Sequence, residues 1–236
     1  IGPIKRNASI LRSELSFILR ETTLPVKVTL PGPMTVADST ADEFYHNEEQ
    51  LAMDVAVALN KEALELEQQG AAVIQFDEPV FSRYPEKVVS WGIKALDRCL
   101  EGLSTAKSAA HICYSYPMPG VPRPIVDSYP VILEALESSK VDELALEFEA
   151  SKLDPSLLRR CPSKTVLFGC IDNGTNEIEN PRDIANKLLT AAEHLPPTQI
   201  QAAPDCGLVP LPLDIARLKL KAMVEGAKLA RQEFGK

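Results

Sequence analysis

The chain has 236 residues, 45% hydrophobic and 25% charged, which is enough apolar mass for a substantial core in one soluble globular domain. Its net charge of −8 excludes a general affinity for nucleic acid, whose phosphates need a basic face. No apolar run approaches the roughly 20 residues of a membrane-spanning helix, so no membrane partner is expected.

An amphipathic stretch, Ser9–Arg20, precedes a first strand at Val26–Leu30. Asn47 opens a helical pattern rich in Ala, Leu and Glu that stops at Gly70. A second strand is expected at Ala71–Phe76, then a helix over Glu86–Leu103. Lys107–Cys113 reads as the third strand, with a helix at Ser128–Glu137. Asp142–Phe148 is the fourth, followed by a short helix at Pro155–Arg160. Lys164–Gly169 is the fifth, before a helix that starts near Pro181, where proline suits the first turn. Gln199–Ala203 is the sixth strand, and a long helix runs over Leu213–Gln232.

Strands of this length alternating with helices imply a parallel sheet in an α/β fold. No Gly-rich phosphate loop follows any strand, which removes the usual signature of the open doubly wound sheet. The expected fold is therefore a (β/α)8 TIM barrel with about six βα units visible. The chain opens at Ile1 without a Met, and two units upstream would complete eight. The expectation is one catalytic domain over 1–236, incomplete at its N-terminus and with its first strands missing.

Five scattered cysteines, Cys99, Cys113, Cys161, Cys170 and Cys206, do not form a disulfide framework, and the expected compartment is the cytoplasm. In parallel α/β folds, functional groups gather at the carboxyl ends of strands. Asp77 and Glu78 end the second strand here, His111 and Cys113 the third, Glu147 the fourth, and Asp205 and Cys206 follow the sixth. His111 and Cys113 are two residues apart, so on an extended strand both can reach one ion. Two thiolates, an imidazole and a carboxylate make a donor set that suits Zn2+ rather than a hard cation. Glu149 shares a strand face with Glu147, and the residues alone leave the choice between them open. Asp-Glu-Pro after a strand also reads as a helix cap or turn. Cys99 and Cys170 read as packing, Cys161 has no partner in view, and His46 and His194 are given no role. The proline-rich run Tyr114–Pro124 has the look of a shaped active-site loop.

Together, Thr29-Leu-Pro-Gly-Pro-Met-Thr35, Gln75-Phe-Asp-Glu-Pro79, His111-Ile-Cys113, Leu144-Ala-Leu-Glu147 and Ala203-Pro-Asp-Cys-Gly-Leu208 resemble the catalytic barrel of cobalamin-independent methionine synthase. The resemblance implies a zinc-dependent methyltransferase that activates homocysteine to form methionine. It implies that His111, Cys113, Glu147 and Cys206 hold the zinc, selecting Glu147 over Glu149, and that Asp77 binds the amino group of homocysteine. The sequence departs from the family on the side of the methyl donor. Val36-Ala-Asp-Ser39 lacks the Trp that stacks on the pterin, Arg83 stands where a folate-binding Glu is expected, and Cys170-Ile-Asp-Asn-Gly-Thr175 lacks the His proton donor. Asp172 in this run is a residue that could take over a proton-transfer or positioning role, and no catalytic proton donor is assigned. Donors that need no such pterin pocket are a methylated corrinoid carried by a partner protein or a smaller alkylating compound. The alternatives are a zinc alkyltransferase acting on another thiol such as coenzyme M, a barrel like uroporphyrinogen decarboxylase with structural cysteines, and a zinc-stabilised binding module without turnover.

Overall fold

The computed structural model describes residues 2–115 and 125–235. The chain divides into two compact units, Ile1–His111 with Ser138–Glu143, and Ile112–Glu137 with Leu144–Lys236.

The first unit runs α1 (Arg12–Glu21), β1 (Lys27–Pro31), α2 (Pro33–Asp38), α3 (Glu48–Gln69), β2 (Val73–Asp77), α4 (Pro85–Lys87), α5 (Ile93–Cys99) and β3 (Lys107–Ile112), whose last residue passes into the second unit. Helix α3 begins where its sequence says it should. The Asn47 side chain accepts a hydrogen bond from Gln50 N at 3.0 Å, satisfying a donor that the first turn leaves over. It stops at Gly70, whose φ of 110° closes the helix in the left-handed region. Between these ends Leu51, Val55, Leu59 and Leu66 form its buried stripe. Strands β1, β2 and β3 pair in parallel, and the register sets Pro31 beside Asp77 and Asp77 beside His111.

The second unit contains α6 (Tyr129–Glu137), β4 (Glu143–Leu146), whose first residue belongs to the first unit, β5 (Thr165–Ile171), α7 (Pro181–Ala191), β6 (Ile200–Pro204) and α8 (Leu213–Phe234). Pro181 opens α7, and the Asn180 side chain caps it through Arg182 N at 2.8 Å. Helices α7 and α8 approach closely at Gly226, where a Cβ would lie 2.7 Å from Ile184. Lys219 of α8 is fully buried, its Nζ donating to Asp172 O and Glu179 Oε1, both at 2.9 Å.

The six strands follow the order β1-β2-β3-β4-β5-β6, and helices separate them along the chain. This is the α/β alternation expected from the sequence. Three details differ. Helix α2 was not expected; it begins at a Gly-Pro step just past β1. The helix expected over Glu86–Leu103 is broken by a π-helical turn at Val88–Gly92. Strands β3 and β4 are shorter than expected, so Cys113 and Glu147 each stand one residue past a strand. Among the described residues no helix is long and apolar enough to cross a membrane.

Candidate metal centre

Strand ends deliver the donors. His111 lies in β3 and Cys113 just after it, 7% and 3% exposed, with Ile112 packed at 0% on the opposite side of the alternation. Asp77 stands beside His111 in the β2–β3 register. The Gln75 side chain, two residues back on the same strand face, donates to Asp77 Oδ1 at 2.8 Å and accepts from Lys27 Nζ at 2.9 Å. Asp77 is only half-buried, so its carboxylate is both held and accessible.

Glu78, the next residue, turns the other way and is fully buried. Its carboxylate accepts from Met34 N at 2.9 Å, Thr35 N at 2.8 Å and Thr35 Oγ1 at 2.7 Å, and so caps α2 from another strand. Gly32 clears the space: a Cβ there would lie 2.2 Å from Glu78 Cδ. Burial outweighs the three donors and pushes the Glu78 carboxyl up to about 7.

Glu147 is 1% exposed. Its Oε2 accepts from Tyr114 N at 3.1 Å, which ties the carboxylate to the residue after Cys113. The Tyr129 hydroxyl donates to Ile112 O at 2.8 Å and accepts from Glu147 N at 3.2 Å, joining the ends of β3 and β4. Tyr129 stacks on Tyr114 at 5.2 Å between ring centroids. Glu149, the alternative donor, is occupied elsewhere, in ion pairs of 2.5 Å with both Lys152 and Lys187.

Cys206 follows β6 and is half-buried. Its Sγ lies 4.0 Å from Cys113 Sγ, and the ligand atoms of His111, Cys113 and Cys206 all fall within 4.8 Å of one another. Among the described residues this is the one such cluster of His, Cys, Asp and Glu. Two sulfurs on one tetrahedral zinc, each at about 2.3 Å, stand roughly 3.8 Å apart. The observed spacing fits that arrangement and is far too long for a disulfide, whose S–S bond is about 2.05 Å. Hydrogen bonding with Cys206, then burial, raises the Cys113 thiol far above its ordinary range, so a thiolate here calls for a cation. The residues present therefore fit zinc. Glu147 does not join the three donors within the same 4.8 Å.

Asp205, adjacent to Cys206, is 1% exposed. Its Oδ1 accepts from Phe148 N at 3.0 Å and Glu149 N at 2.9 Å, and its Oδ2 from Ala150 N at 2.6 Å. Burial pushes this carboxyl up to about 7 despite the three donors. Asp205 and Tyr129 were not given roles from sequence. The one available signal was the position of Asp205 at a strand end, directly before a donor.

The remaining sequence-level candidates are engaged locally. Asp172 Oδ1 accepts from Gly174 N at 2.7 Å, closing a turn. Arg83 pairs with Asp38 at 2.9 Å. Cys99, Cys161 and Cys170 are buried, and burial pushes the Cys161 and Cys170 thiols up to about 12, where they are inert. Of the expected loop Tyr114–Pro124, residues 116–124 lie outside the described residues.

Residues 6–229 match the family model described as the catalytic domain of cobalamin-independent synthase. A methionine synthase of Thermococcus kodakarensis is 30% identical over 238 residues, covering 100% of this chain and 67% of its own length. One from Saccharolobus islandicus is 35% identical over 211 residues, covering 89% of this chain and 59% of its own. The chain thus spans about three-fifths to two-thirds of these relatives. A solved B12-independent methionine synthase of Shewanella sp. W3-18-1, in complex with selenomethionine, superposes with a TM-score of 0.92 at 34% identity, over 99% of this chain and 70% of that one. A methyltransferase from Methanosarcina mazei, at 18% identity and a TM-score of 0.68, shares the fold.

Proposed function

The chain belongs to the cobalamin-independent methionine synthase family through the catalytic domain of that synthase, and on this premise we propose that it is one zinc-dependent catalytic domain, of the cytoplasm, that methylates the sulfur of homocysteine to give methionine. The observation that carries the reading is the pair of thiols Cys113 and Cys206, 4.0 Å apart with His111 in the same cluster. The proposed ligands are His111, Cys113, Glu147 and Cys206.

Zinc, when bound, supplies the positive charge that keeps a substrate thiol ionised at neutral pH. Cys113, Cys206 and Glu147 together bring one more negative charge than the ion neutralises, which keeps a neighbouring sulfur electron-rich. Glu147, whose Oε2 accepts from Tyr114 N–H, would be the oxygen donor of the set and a harder ligand than the two thiolates. Asp77, oriented by Gln75, offers its carboxylate to the amino group of homocysteine. With the thiolate so placed, the sulfur–carbon bond forms as the methyl carbon's bond to its donor breaks and the electron pair leaves with the donor, a displacement that needs orientation more than acid–base chemistry on the sulfur side. The proposed donor is one that needs no pterin stack, a methylated corrinoid on a partner protein or a small alkylating compound. Val36-Ala-Asp-Ser39 has no aromatic ring to offer, and Arg83 is neutralised by Asp38.

Freshly purified protein is expected to carry about one zinc per chain by elemental analysis, and Cys206→Ser to lose both the metal and homocysteine methylation. A zinc-free protein with full activity, or a Cys206→Ser protein retaining both, overturns the reading. Homocysteine supplied with methylcobalamin, methylfolate and simple methyl donors in turn identifies the donor.

A further inference from the structure

The Asp205 carboxylate is buried, and it sits at the join of the segments that carry two of the proposed ligands. It gathers the N–H groups of Phe148, Glu149 and Ala150, the three residues after Glu147, and its own N–H donates to Ile171 O at the end of β5 at 3.0 Å. Cys206 is the next residue. The pocket for this carboxylate is built by omission. A Cβ at Gly169 of β5 would lie 2.1 Å from Asp205 Oδ1 and 2.7 Å from Leu146 O.

We propose that Asp205 is the positioning residue of the metal centre, locking the Glu147 segment to the Cys206 segment and so setting how far Glu147 reaches toward the sulfurs. The inference rests on the zinc reading above. A carboxylate suits the task because it only accepts. With both oxygens taken up by backbone donors, it converts three otherwise unmet N–H groups into one fixed turn. An asparagine has the same shape but must aim its NH2 at an N–H group, which frees either Ala150 or the Phe148–Glu149 pair. A glutamate adds a methylene where Gly169 has left room for none. Without the clamp, the turn after β4 relaxes and Glu147 loses its address, while Cys113, Cys206 and His111 keep theirs.

The test uses the whole chain, stripped of metal and reloaded with zinc or, as a spectroscopic probe, cobalt(II). Zinc affinity is read by competition with a chromophoric chelator, ligation by the cobalt absorption spectrum, and folding by circular dichroism. Asp205→Asn is expected to stay folded and bind zinc about 10–100-fold more weakly, the range typical for groups that orient metal ligands. Its sulfur-to-cobalt charge-transfer bands should persist while the d–d bands shift, the mark of a lost oxygen ligand. Gly169→Ala, which crowds the carboxylate instead of changing it, should move both readouts the same way. Wild-type affinity with an unaltered cobalt spectrum in Asp205→Asn overturns the clamp alone and leaves the zinc reading standing. Loss of fold in both variants also overturns it, by assigning Asp205 to stability. A wild-type protein that takes up neither metal overturns the zinc reading and the clamp with it.

Discussion

Glu78 in the first unit and Asp205 in the second are buried carboxylates built to one plan. Each stands at the carboxyl end of a strand, gathers three hydrogen bonds from a segment that follows another strand, and occupies space that a glycine leaves open. Burial pushes both up to about 7. They differ in what they grip. Glu78 holds the first turn of α2, whose N–H groups would otherwise lack partners, while its neighbour Asp77 faces the other way along the strand. Asp205 holds an irregular turn beside Glu147 and sits next to Cys206. The same device thus serves chain stability in one unit and donor geometry in the other.

That contrast can be tested from the first-unit side. Gly32→Ala forces a Cβ against the Glu78 side chain, and overpacking of this kind costs about 3 kcal/mol at its upper range. Urea denaturation should show a loss of that order while zinc affinity stays at the wild-type level. A drop in affinity would erase the distinction between the two clamps.

A pH series sharpens it further. The folded chain keeps the Glu78 proton up to about 7, whereas the unfolded carboxyl releases it near its ordinary 4.5. The folded state therefore binds more protons across that window, so stability falls as pH rises from about 4.5 to about 7 and levels off above. A shift of this size is worth about 3 kcal/mol. Glu78→Gln should flatten its share of the slope, measured as denaturation midpoints at pH 5 and pH 7.5. An unchanged slope in the variant would mean that Glu78 is ionised in the folded chain. The smallest effect is expected from Thr35→Val, which removes the hydroxyl donor to Glu78 and should cost about 1 kcal/mol in the same denaturation assay.

Much of the placement of the candidate residues was legible because strand alternation is a local rule. His111 and Cys113 two residues apart, and Asp77 at a strand end, follow from a period of two and from the tendency of parallel sheets to collect function at one rim. The residues alone do not choose between Glu147 and Glu149, which share a spacing; in the structure Glu149 is engaged by Lys152 and Lys187. Helix α2 is six residues long, too short for its periodicity to register, although Pro33 marks its start. The π turn at Val88–Gly92 inserts into a pattern that otherwise reads as one helix. Its Gly92 packs where a Cβ would lie 3.2 Å from Met34 Sδ and 3.3 Å from Phe81, contacts that no local pattern encodes. The grip of Asp205 spans 55 to 57 residues, and nothing near it in sequence names its partners.

Cys113 and Cys206 are 93 residues apart in the chain, yet their sulfurs meet at 4.0 Å. Bringing them together closes a loop that contains α6, β4, β5, α7 and β6, so neither thiol has its neighbour until those elements have assembled. A ligand that needs both sulfurs selects only chains in which that long segment is complete, and its binding free energy adds to the folding equilibrium of the segment by mass action. If zinc is that ligand, as proposed, its occupancy is a census of finished chains, and scarcity of the ion would be felt as a folding defect.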